Sequence, residues 1–431
     1  MNFAIVNLGC KVNRVESDAF ASGLLARGCQ ETDEAAANIV VVNTCTVTGE
    51  AEKKTRKAVR HALRANESSH VVVTGCAAAI DADAFTAMAP GRVHVAGKLQ
   101  VDKVLDQLVG PLEPGYHALA VGNGFRTRVG VKVQDGCNNA CTYCIVHVAR
   151  GRATSRNAGD VREECKALAE AGVREIVLTG INLGSYRFDD GQGEVLMLDG
   201  LMQALLDDTA DVHEPGQPPC RFRISSIEPV DVSDKLIDVM ARSNGRICRH
   251  LHLSLQSGST KVLAEMNRPY TAQQFEALVN KLYAKLPELS LSTDIICGCP
   301  GETDADFQET LDVAQRCRFS KIHVFPYSQR EGTPAAKLPD PVSREEKQVW
   351  FDELVELSNS ISGAKHAAYA GKTLRVLVDG ETGRDGYNLS ARTNGGRLVH
   401  LKGGAELIGR FMTAKITGWN TWALYGEIQE D

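Results

Sequence analysis

The sequence has few of the features that mark membrane, secreted or strongly basic proteins. No stretch approaches eighteen uninterrupted apolar residues, so no membrane-spanning helix is expected. The start, MNFAIVNLGC, has neither a basic segment nor a small-residue cleavage site, which argues against a signal peptide. The net charge is -6, so bulk charge does not favour indiscriminate binding of nucleic acid. We therefore expect a globular, cytoplasmic protein in which any RNA contact comes from a local patch.

Length and composition predict more than one domain. The chain has 431 residues, of which 43% are hydrophobic and 24% charged, and this exceeds what one core usually supports. A proline- and glycine-containing stretch at 110–125 and a change of rhythm after Gly371 give predicted domains at 1–112, 125–368 and 370–431. Thirteen cysteines in a reducing compartment favour metal binding or catalysis over disulfides.

The first hundred residues alternate strands and helices. Strands are predicted at 3–9, 39–44, 71–75 and 92–97, and their β-branched runs are typical of a parallel sheet covered on both faces. Cys10, Cys45 and Cys76 each follow the end of a strand and are about one βα unit apart. Because parallel strands deliver their carboxyl ends to one edge, the three thiols should converge and could hold an iron-sulfur cluster. The alternative is three unrelated core cysteines.

A second cysteine trio follows a predicted strand at 129–134. Cys137, Cys141 and Cys144 lie within one loop with C-x3-C-x2-C spacing. Three thiolates can hold three irons of a 4Fe-4S cluster and leave the fourth iron open to a small molecule. The alternative is a zinc knuckle in which His147 would be the fourth ligand.

These motifs resemble those of a known enzyme family. The C-x3-C-x2-C spacing is similar to the signature of radical S-adenosylmethionine (SAM) enzymes, which implies that SAM is chelated by the open iron and cleaved to a 5'-deoxyadenosyl radical. The segments NLGCKVN, NTCTVT and VTGCAA resemble the amino-terminal domain of the methylthiotransferases, which carry a second 4Fe-4S cluster there. Lys11-Val12-Asn13 is most similar to the MtaB-type branch, which modifies threonylcarbamoyladenosine in tRNA. The resemblance covers essentially the whole chain.

The predicted second domain has six strands with helices between them, near 129–134, 175–179, 221–226, 250–255, 292–296 and 321–326. This α/β pattern is similar to the partial (β/α)6 barrel of radical SAM enzymes, whose ligands bind at the carboxyl ends of the strands. Taken singly, polar residues at strand ends are usually turn chemistry. By resemblance, the SAM contacts would be Thr179, Gly180, Asn182, Glu228, Ser254, Gln256 and Pro300.

Three arginines, Arg150, Arg152 and Arg156, follow the cluster loop. A guanidinium group near the radical site could recognise a substrate carboxylate, such as that of the threonylcarbamoyl group, with two parallel hydrogen bonds. The arginines could equally hold phosphates or acidic side chains.

The carboxy-terminal segment is predicted to form a small closed β-barrel, because five short strands are separated by glycine-rich turns. Residues 372–415 include eight basic and four acidic residues. Tyr387 and Trp419 could stack on bases. The segment resembles the TRAM domain, which implies RNA contacts at Arg375, Arg392 and Lys402. The alternative is a structural barrel with ordinary surface charge.

The resemblance implies a tRNA methylthiotransferase that inserts a methylthio group at C2 of N6-threonylcarbamoyladenosine next to the anticodon. Two SAM molecules and two 4Fe-4S clusters would be used, and the partners would be the tRNA anticodon stem-loop, an electron donor such as flavodoxin and a sulfur donor, with no membrane involved. Alternative substrates are isopentenyladenosine in tRNA and an aspartate of a ribosomal protein. Two further alternatives are a zinc-bound RNA-binding protein without catalysis and a radical SAM enzyme whose first domain is only structural.

Overall fold

The computed structural model describes residues 1–46, 49–112, 127–191, 193, 195–384 and 386–429. The chain forms two compact units. The first unit consists of Met1–Gly122, Asp135–Ala153 and Ser328–Ala336. The second unit consists of Asn123–Gln134, Thr154–Tyr327 and Lys337–Asp431. Most of the linker predicted at 110–125 lies outside the described residues.

The first unit is built on a five-stranded parallel sheet, which confirms the predicted fold class of this part of the chain. In spatial order the strands are Gln30–Glu31, Asn2–Asn7, Ile39–Thr44, His70–Gly75 and Val93–Val95. The edge strand Gln30–Glu31 was not predicted, because it has only two residues and both are exposed.

Helices cover both faces of this sheet. They span Lys11–Ala26, Gly49–Ala65, Cys76–Ile80, Ala82–Thr86 and Val101–Val109, and a further helix of this unit, Val146–Arg150, contacts the helix Cys76–Ile80. Val40 and Val42 pack in one apolar cluster, whereas Ile39 and Val41 pack in another. Successive side chains of a strand point to opposite faces, so the apolar run is buried from both sides and fixes the strand ends.

The second unit contains the predicted partial barrel. Three parallel strands, in spatial order, are Arg221–Ile224, Glu175–Thr179 and Arg128–Lys132. Four further parallel strands are Ser226–Ile227, His250–Leu253, Ser290–Cys297 and Lys321–Pro326. The strand predicted at 221–226 is interrupted at Ser225, because its first part pairs with Glu175–Leu178 and its second part with His252–Leu253.

Five of the seven helices described in the second unit begin at a side-chain cap. The seven helices span Ala158–Glu170, Leu198–Asp208, Asp234–Arg242, Thr260–Glu265, Ala272–Lys285, Asp304–Cys317 and Arg344–Ala367. Thr271, Thr303 and Ser343 each form a capping box at a helix start. Two short antiparallel strands, Arg187–Asp189 and Val195–Met197, were not predicted. Across the described residues, no helix combines the length and the apolar character that crossing a membrane requires.

The predicted carboxy-terminal β-barrel is confirmed. Around the closed barrel the strands follow the order Thr373–Glu381, Leu389–Thr393, Leu398–Leu401, Leu424–Ile428 and Phe411–Trp419. Alternating apolar residues such as Val376, Val378, Ala414 and Ile416 fill its interior. The remaining short elements are two-residue strands at Gln134–Asp135 and Thr154–Ser155, and 3-10 turns at Leu183–Ser185, Pro229–Asp231, Ala335–Lys337 and Ala405–Leu407.

Candidate active site

The structure brings the first cysteine trio together at the carboxyl edge of the first unit's sheet. Cys45 and Cys76 directly follow their strands and are buried, whereas Cys10 precedes a helix and is exposed. Gly9 has a φ of +128°, and a Cβ there would lie 2.9 Å from the Cβ of Cys45. Burial raises the pKa of the Cys76 thiol, and the nearby thiols of Cys10 and Cys45 raise it further. The three thiols therefore occupy one shared environment.

Buried amides fix the loops that carry this trio. The side chain of Asn13 donates hydrogen bonds to the carbonyl oxygens of Leu8 at 3.0 Å and Thr44 at 2.8 Å. The side chain of Asn43 donates in return to the carbonyl oxygen of Asn13 at 2.9 Å. Both asparagines are fully buried, so these bonds are made in a low-dielectric environment and hold the strand ends in place.

The second cysteine trio occupies a tight loop of the same unit. The backbone N–H of Asn139 lies 3.4 Å from the sulfur of Cys137. The backbone N–H of Val146 lies 3.4 Å from the sulfur of Cys144. Such donors stabilise thiolates, the form in which cysteine binds iron. Gly136 closes the loop, because a Cβ on this residue would lie 2.0 Å from the carbonyl oxygen of Arg152.

Arg150 connects the second cysteine loop to the first trio. Its Nε donates to the sulfur of Cys76 at 3.2 Å, and its terminal nitrogens donate to Glu16 and Asn13, each at 2.6 Å. The side chain of Arg150 is only 2% exposed. The sequence predicts a contact between this arginine and the substrate, whereas the structure places its guanidinium group among Cys76, Glu16 and Asn13.

The sulfurs of neither trio are spaced as the ligands of one zinc ion are. Among the described residues, one group of three His, Cys, Asp or Glu side chains has all its ligand atoms within 4.8 Å of one another, and this group contains no cysteine. Two sulfurs bound tetrahedrally to one zinc ion would be about 3.8 Å apart, given Zn–S bonds of about 2.3 Å. In each cysteine trio, at least two of the sulfurs therefore lie farther apart than two ligands of one zinc ion.

The predicted SAM contacts near the second barrel strand lie in the second unit. Gly180 is close to Gln134, because a Cβ at residue 180 would lie 2.8 Å from the Oε1 atom of that glutamine. The backbone N–H of Asn182 donates to the same oxygen at 2.8 Å. The side-chain Oδ1 of Asn182 is buried and has no hydrogen-bond partner in the described structure, so it could accept from a ligand amino group. Thr179 is buried at the end of its strand.

Ser254 and Gln256 follow the strand His250–Leu253 and are both buried. Gln256 has a φ of +71°, which is uncommon for a residue with a side chain. Its backbone N–H donates to the carbonyl oxygen of Asp294 at 2.9 Å, and its carbonyl oxygen accepts from Ile296 at 2.9 Å. The neighbouring strand thus holds this residue in a strained conformation, a feature that often marks a functional position.

Glu228 and Pro300 complete the predicted SAM set. Glu228 pairs with Arg268, whose side chain is 2% exposed. Burial raises the pKa of the Glu228 carboxyl, and the charge of Arg268 opposes this rise. Pro300 is buried in the turn after the strand that ends at Cys297.

A cluster of three polar side chains was not predicted from the sequence. His252, Asp294 and His323 lie on three adjacent parallel strands, with 3.1 Å between Nε2 of His252 and Oδ2 of Asp294 and 5.7 Å between the two imidazole centroids. Ser292 bonds to the other nitrogen of His252 at 3.0 Å. No local sequence pattern marks this cluster, because its three residues come from three different strands.

The other two arginines after the cysteine loop have different surroundings. Arg152 is exposed. Arg156 is half-buried and donates to the Glu164 carboxylate at 2.7 Å and to the carbonyl oxygen of Lys132 at 3.0 Å. Of the three arginines, Arg152 therefore has the side chain most accessible to a substrate.

The predicted RNA contacts of the carboxy-terminal barrel lie on its surface. Arg375 and Lys402 are exposed, and the ammonium group of Lys402 lies 5.6 Å from the ring centroid of Tyr387. Arg392 is half-buried and donates to Asp379 at 3.2 Å.

Three segments of the chain match described protein families. Residues 2–97 match the "Uncharacterized protein family UPF0004", residues 131–314 match the "Radical SAM superfamily", and residues 367–428 match the "TRAM domain".

Two relatives are similar over nearly their whole length. The Bacillus subtilis "Threonylcarbamoyladenosine tRNA methylthiotransferase MtaB" is 36% identical, covering 96% of this chain and 93% of that protein. The Clostridium novyi "tRNA-2-methylthio-N(6)-dimethylallyladenosine synthase" is 35% identical, covering 99% and 96%. Identity of this extent shows that the chain and these relatives belong to one family. The names of the two relatives give two different substrates.

Solved structures agree on the fold. The radical SAM methyltransferase TsrM from Kitasatospora setae superposes with a TM-score of 0.53 at 14% identity, covering 78% of this chain and 77% of that chain. At this identity the likeness concerns the fold alone. Taken with the two cysteine trios and the three family matches, the comparisons show that the chain belongs to the radical SAM tRNA methylthiotransferase family.

Proposed function

We propose that this protein inserts a methylthio group at C2 of N6-threonylcarbamoyladenosine next to the anticodon of tRNA. The observation that carries the proposal is the presence of two three-cysteine sites within the first unit, joined by the buried side chain of Arg150. Two incomplete clusters suit a reaction in which one site generates a radical and the other holds the sulfur that is transferred. The Bacillus subtilis relative named for this substrate supports the choice of nucleoside.

The protein's own residues would bind and orient the reactants. Cys137, Cys141 and Cys144 would hold the cluster that chelates SAM, which supplies a radical able to remove hydrogen from an aromatic C–H group. The buried Oδ1 of Asn182 would accept a hydrogen bond from the SAM amino group, and the half-buried carboxyl of Glu228 would hydrogen-bond another polar part of the cofactor.

The cysteines of the first trio would position the sulfur, and exposed cations would position the RNA. Cys10, Cys45 and Cys76 would hold a second 4Fe-4S cluster near the sulfur to be transferred. Arg152 would recognise the threonyl carboxylate, because a guanidinium group can make two parallel hydrogen bonds to a carboxylate. Arg375 and Lys402 would contact the RNA backbone from the carboxy-terminal barrel.

Mass analysis of nucleosides from the tRNA of a deletion strain tests the substrate. The proposal predicts loss of the 2-methylthio form of threonylcarbamoyladenosine and accumulation of the unmodified parent. Isopentenyladenosine is the second candidate substrate, since the relative from Clostridium novyi carries that name at nearly the same identity. Loss of only the methylthiolated isopentenyl nucleoside would replace our proposal with that candidate.

A further inference from the structure

The second unit contains a cavity of about 1220 Å³ at the amino ends of its barrel strands. Arg221, Arg249 and Leu289 line it, and each stands at the start of a strand or directly before one. The predicted SAM contacts Ser254 and Gln256 lie at the opposite, carboxyl ends. The cavity is therefore separate from the predicted SAM site, and it is large enough for a small ligand.

The charge of this cavity is almost entirely positive. Of the described residues that line it, eight are arginine or lysine and one, Glu288, is acidic. Among the described residues, one of these cations has an ion-pair partner: Arg221 pairs with Glu175 at 2.7 Å. Protein surfaces ordinarily mix both signs of charge, so this excess calls for a counterion.

Lys365, Arg397 and Arg318 are three of the seven cavity cations that make no ion pair with any carboxylate in the described part of the chain. The ammonium group of Lys365 lies 3.4 Å from the hydroxyl of Tyr283 and 3.4 Å from that of Ser320. Arg397 donates to the same serine at 3.1 Å. Arg397 is 8% exposed and its Nε is buried without a partner. Hydrogen-bonding capacity thus remains unused beside uncompensated charge.

The packing of these cations confirms that they crowd one another. Burial, with the positive charges of Arg397 and Arg318, lowers the pKa of Lys365 to about 8. Lys365 and Arg318 lie 5.5 Å and 5.7 Å from the ring centroid of Tyr283, and Arg397 lies 5.0 Å from that of Tyr369. The aromatic rings offset part of the cost of burying these charges, but a bound anion would relieve their repulsion directly.

We propose that this cavity binds a phosphate-bearing ligand with at least two negative charges, held by Lys365, Arg397 and Arg318. Guanidinium groups match phosphate oxygens with paired hydrogen bonds, and an ammonium group adds a point charge. The phosphates come either from a free oligophosphate or from an RNA backbone. This binding site would be present whichever nucleoside the enzyme modifies.

Calorimetric titration of the full chain with pyrophosphate tests the proposal. The double variant Lys365→Gln/Arg397→Gln should lose at least about tenfold in pyrophosphate affinity, because each substitution removes a charged hydrogen-bond donor. Lys166→Gln is the matched control, since Lys166 is exposed on another helix and its loss also removes one positive charge. This control should bind pyrophosphate as the wild type does.

A second titration with the tRNA anticodon stem-loop separates the two phosphate sources. If pyrophosphate does not bind but the double variant alone loses tRNA affinity about tenfold, the phosphates belong to RNA. The proposal is overturned if neither affinity changes in the double variant, or if Lys166→Gln loses as much. The ligand-free double variant should keep or raise its unfolding temperature, because a repulsion has been removed, and this measurement excludes misfolding as the cause of lost binding.

Discussion

Replacing Arg150 with methionine should destabilise the first unit strongly. The guanidinium group pairs with Glu16, whose side chain is 8% exposed, and also donates to Asn13 and Cys76. Removing one partner of a buried ion pair leaves the other charge uncompensated, at a cost of about 3–5 kcal/mol. The first unit comprises about 150 residues, a size at which such a cost lowers the unfolding temperature by roughly 6–20 °C.

The control for this prediction is Arg156→Met. Arg156 lies six residues along the chain and pairs with Glu164, but the two side chains are 37% and 27% exposed. A solvent-exposed ion pair contributes at most about 1 kcal/mol, so this variant should unfold close to the wild-type temperature. Differential scanning calorimetry of the full chain without cofactors measures both variants.

The double variant Arg150→Met/Glu16→Gln tests whether the uncompensated charge of Glu16 causes the loss of stability. It removes the charges of Arg150 and Glu16 together, and Asp135, the other carboxylate beside Arg150 at 3.6 Å, keeps its ion pair with Lys98 at 2.8 Å. The double variant should therefore recover much of the stability that Arg150→Met loses. Equal unfolding temperatures for Arg150→Met and Arg156→Met would refute the reasoning. So would a double variant less stable than Arg150→Met alone.

Three further predictions follow from particular residues. Gly136→Ala should lower the iron content of the reconstituted protein, because its Cβ would meet a carbonyl oxygen at 2.0 Å. Gly151→Ala has a similar φ of +75° but meets no atom within 4 Å, so it should cost only backbone strain of about 1–3 kcal/mol and keep its iron. Equal iron loss in both variants would contradict this. Burial raises the pKa of the Glu302 carboxyl from 4.5 to about 7. The folded protein is therefore more stable at low pH, where this carboxyl is protonated, and it loses that stability as the pH rises towards 7. Glu302→Gln should abolish that loss, up to about 3 kcal/mol in urea unfolding at pH 8 relative to pH 4, and an unchanged pH dependence would refute it. Arg152→Lys should raise the KM for threonylcarbamoylated tRNA several-fold with little change in kcat, and an unaltered KM would remove this arginine from substrate recognition.

The sequence predicts the fold well where local patterns decide it. Runs such as Ile39–Thr44 are β-branched and fully buried, so their position in a parallel sheet follows from composition alone. The five strands of the carboxy-terminal barrel were likewise separated by recognisable turns. The break at Ser225 was not predictable, because it depends on which neighbouring strand pairs with each half.

The candidate site was predictable in its cysteines but not in its surroundings. Strand ends and loop spacing pointed to both trios, whereas Glu16 and Asn13, two partners of Arg150, lie more than 130 positions away in sequence. Local sequence cannot reveal such a contact, so a substrate carboxylate, a phosphate and an acidic side chain all remained possible partners of Arg150 until the structure placed it beside Glu16. The grouping of His252, Asp294 and His323 escaped notice for the same reason, since each comes from a different strand.

The most direct test of the two-site account is the reaction itself, with the first trio removed. Reconstituted wild-type protein, given SAM, a reductant and threonylcarbamoylated tRNA under anaerobic conditions, should yield both 5'-deoxyadenosine and the methylthiolated nucleoside. The variant with alanine at Cys10, Cys45 and Cys76 should still yield 5'-deoxyadenosine but no methylthiolated nucleoside. Methylthiolation by that variant at the wild-type level would contradict the account.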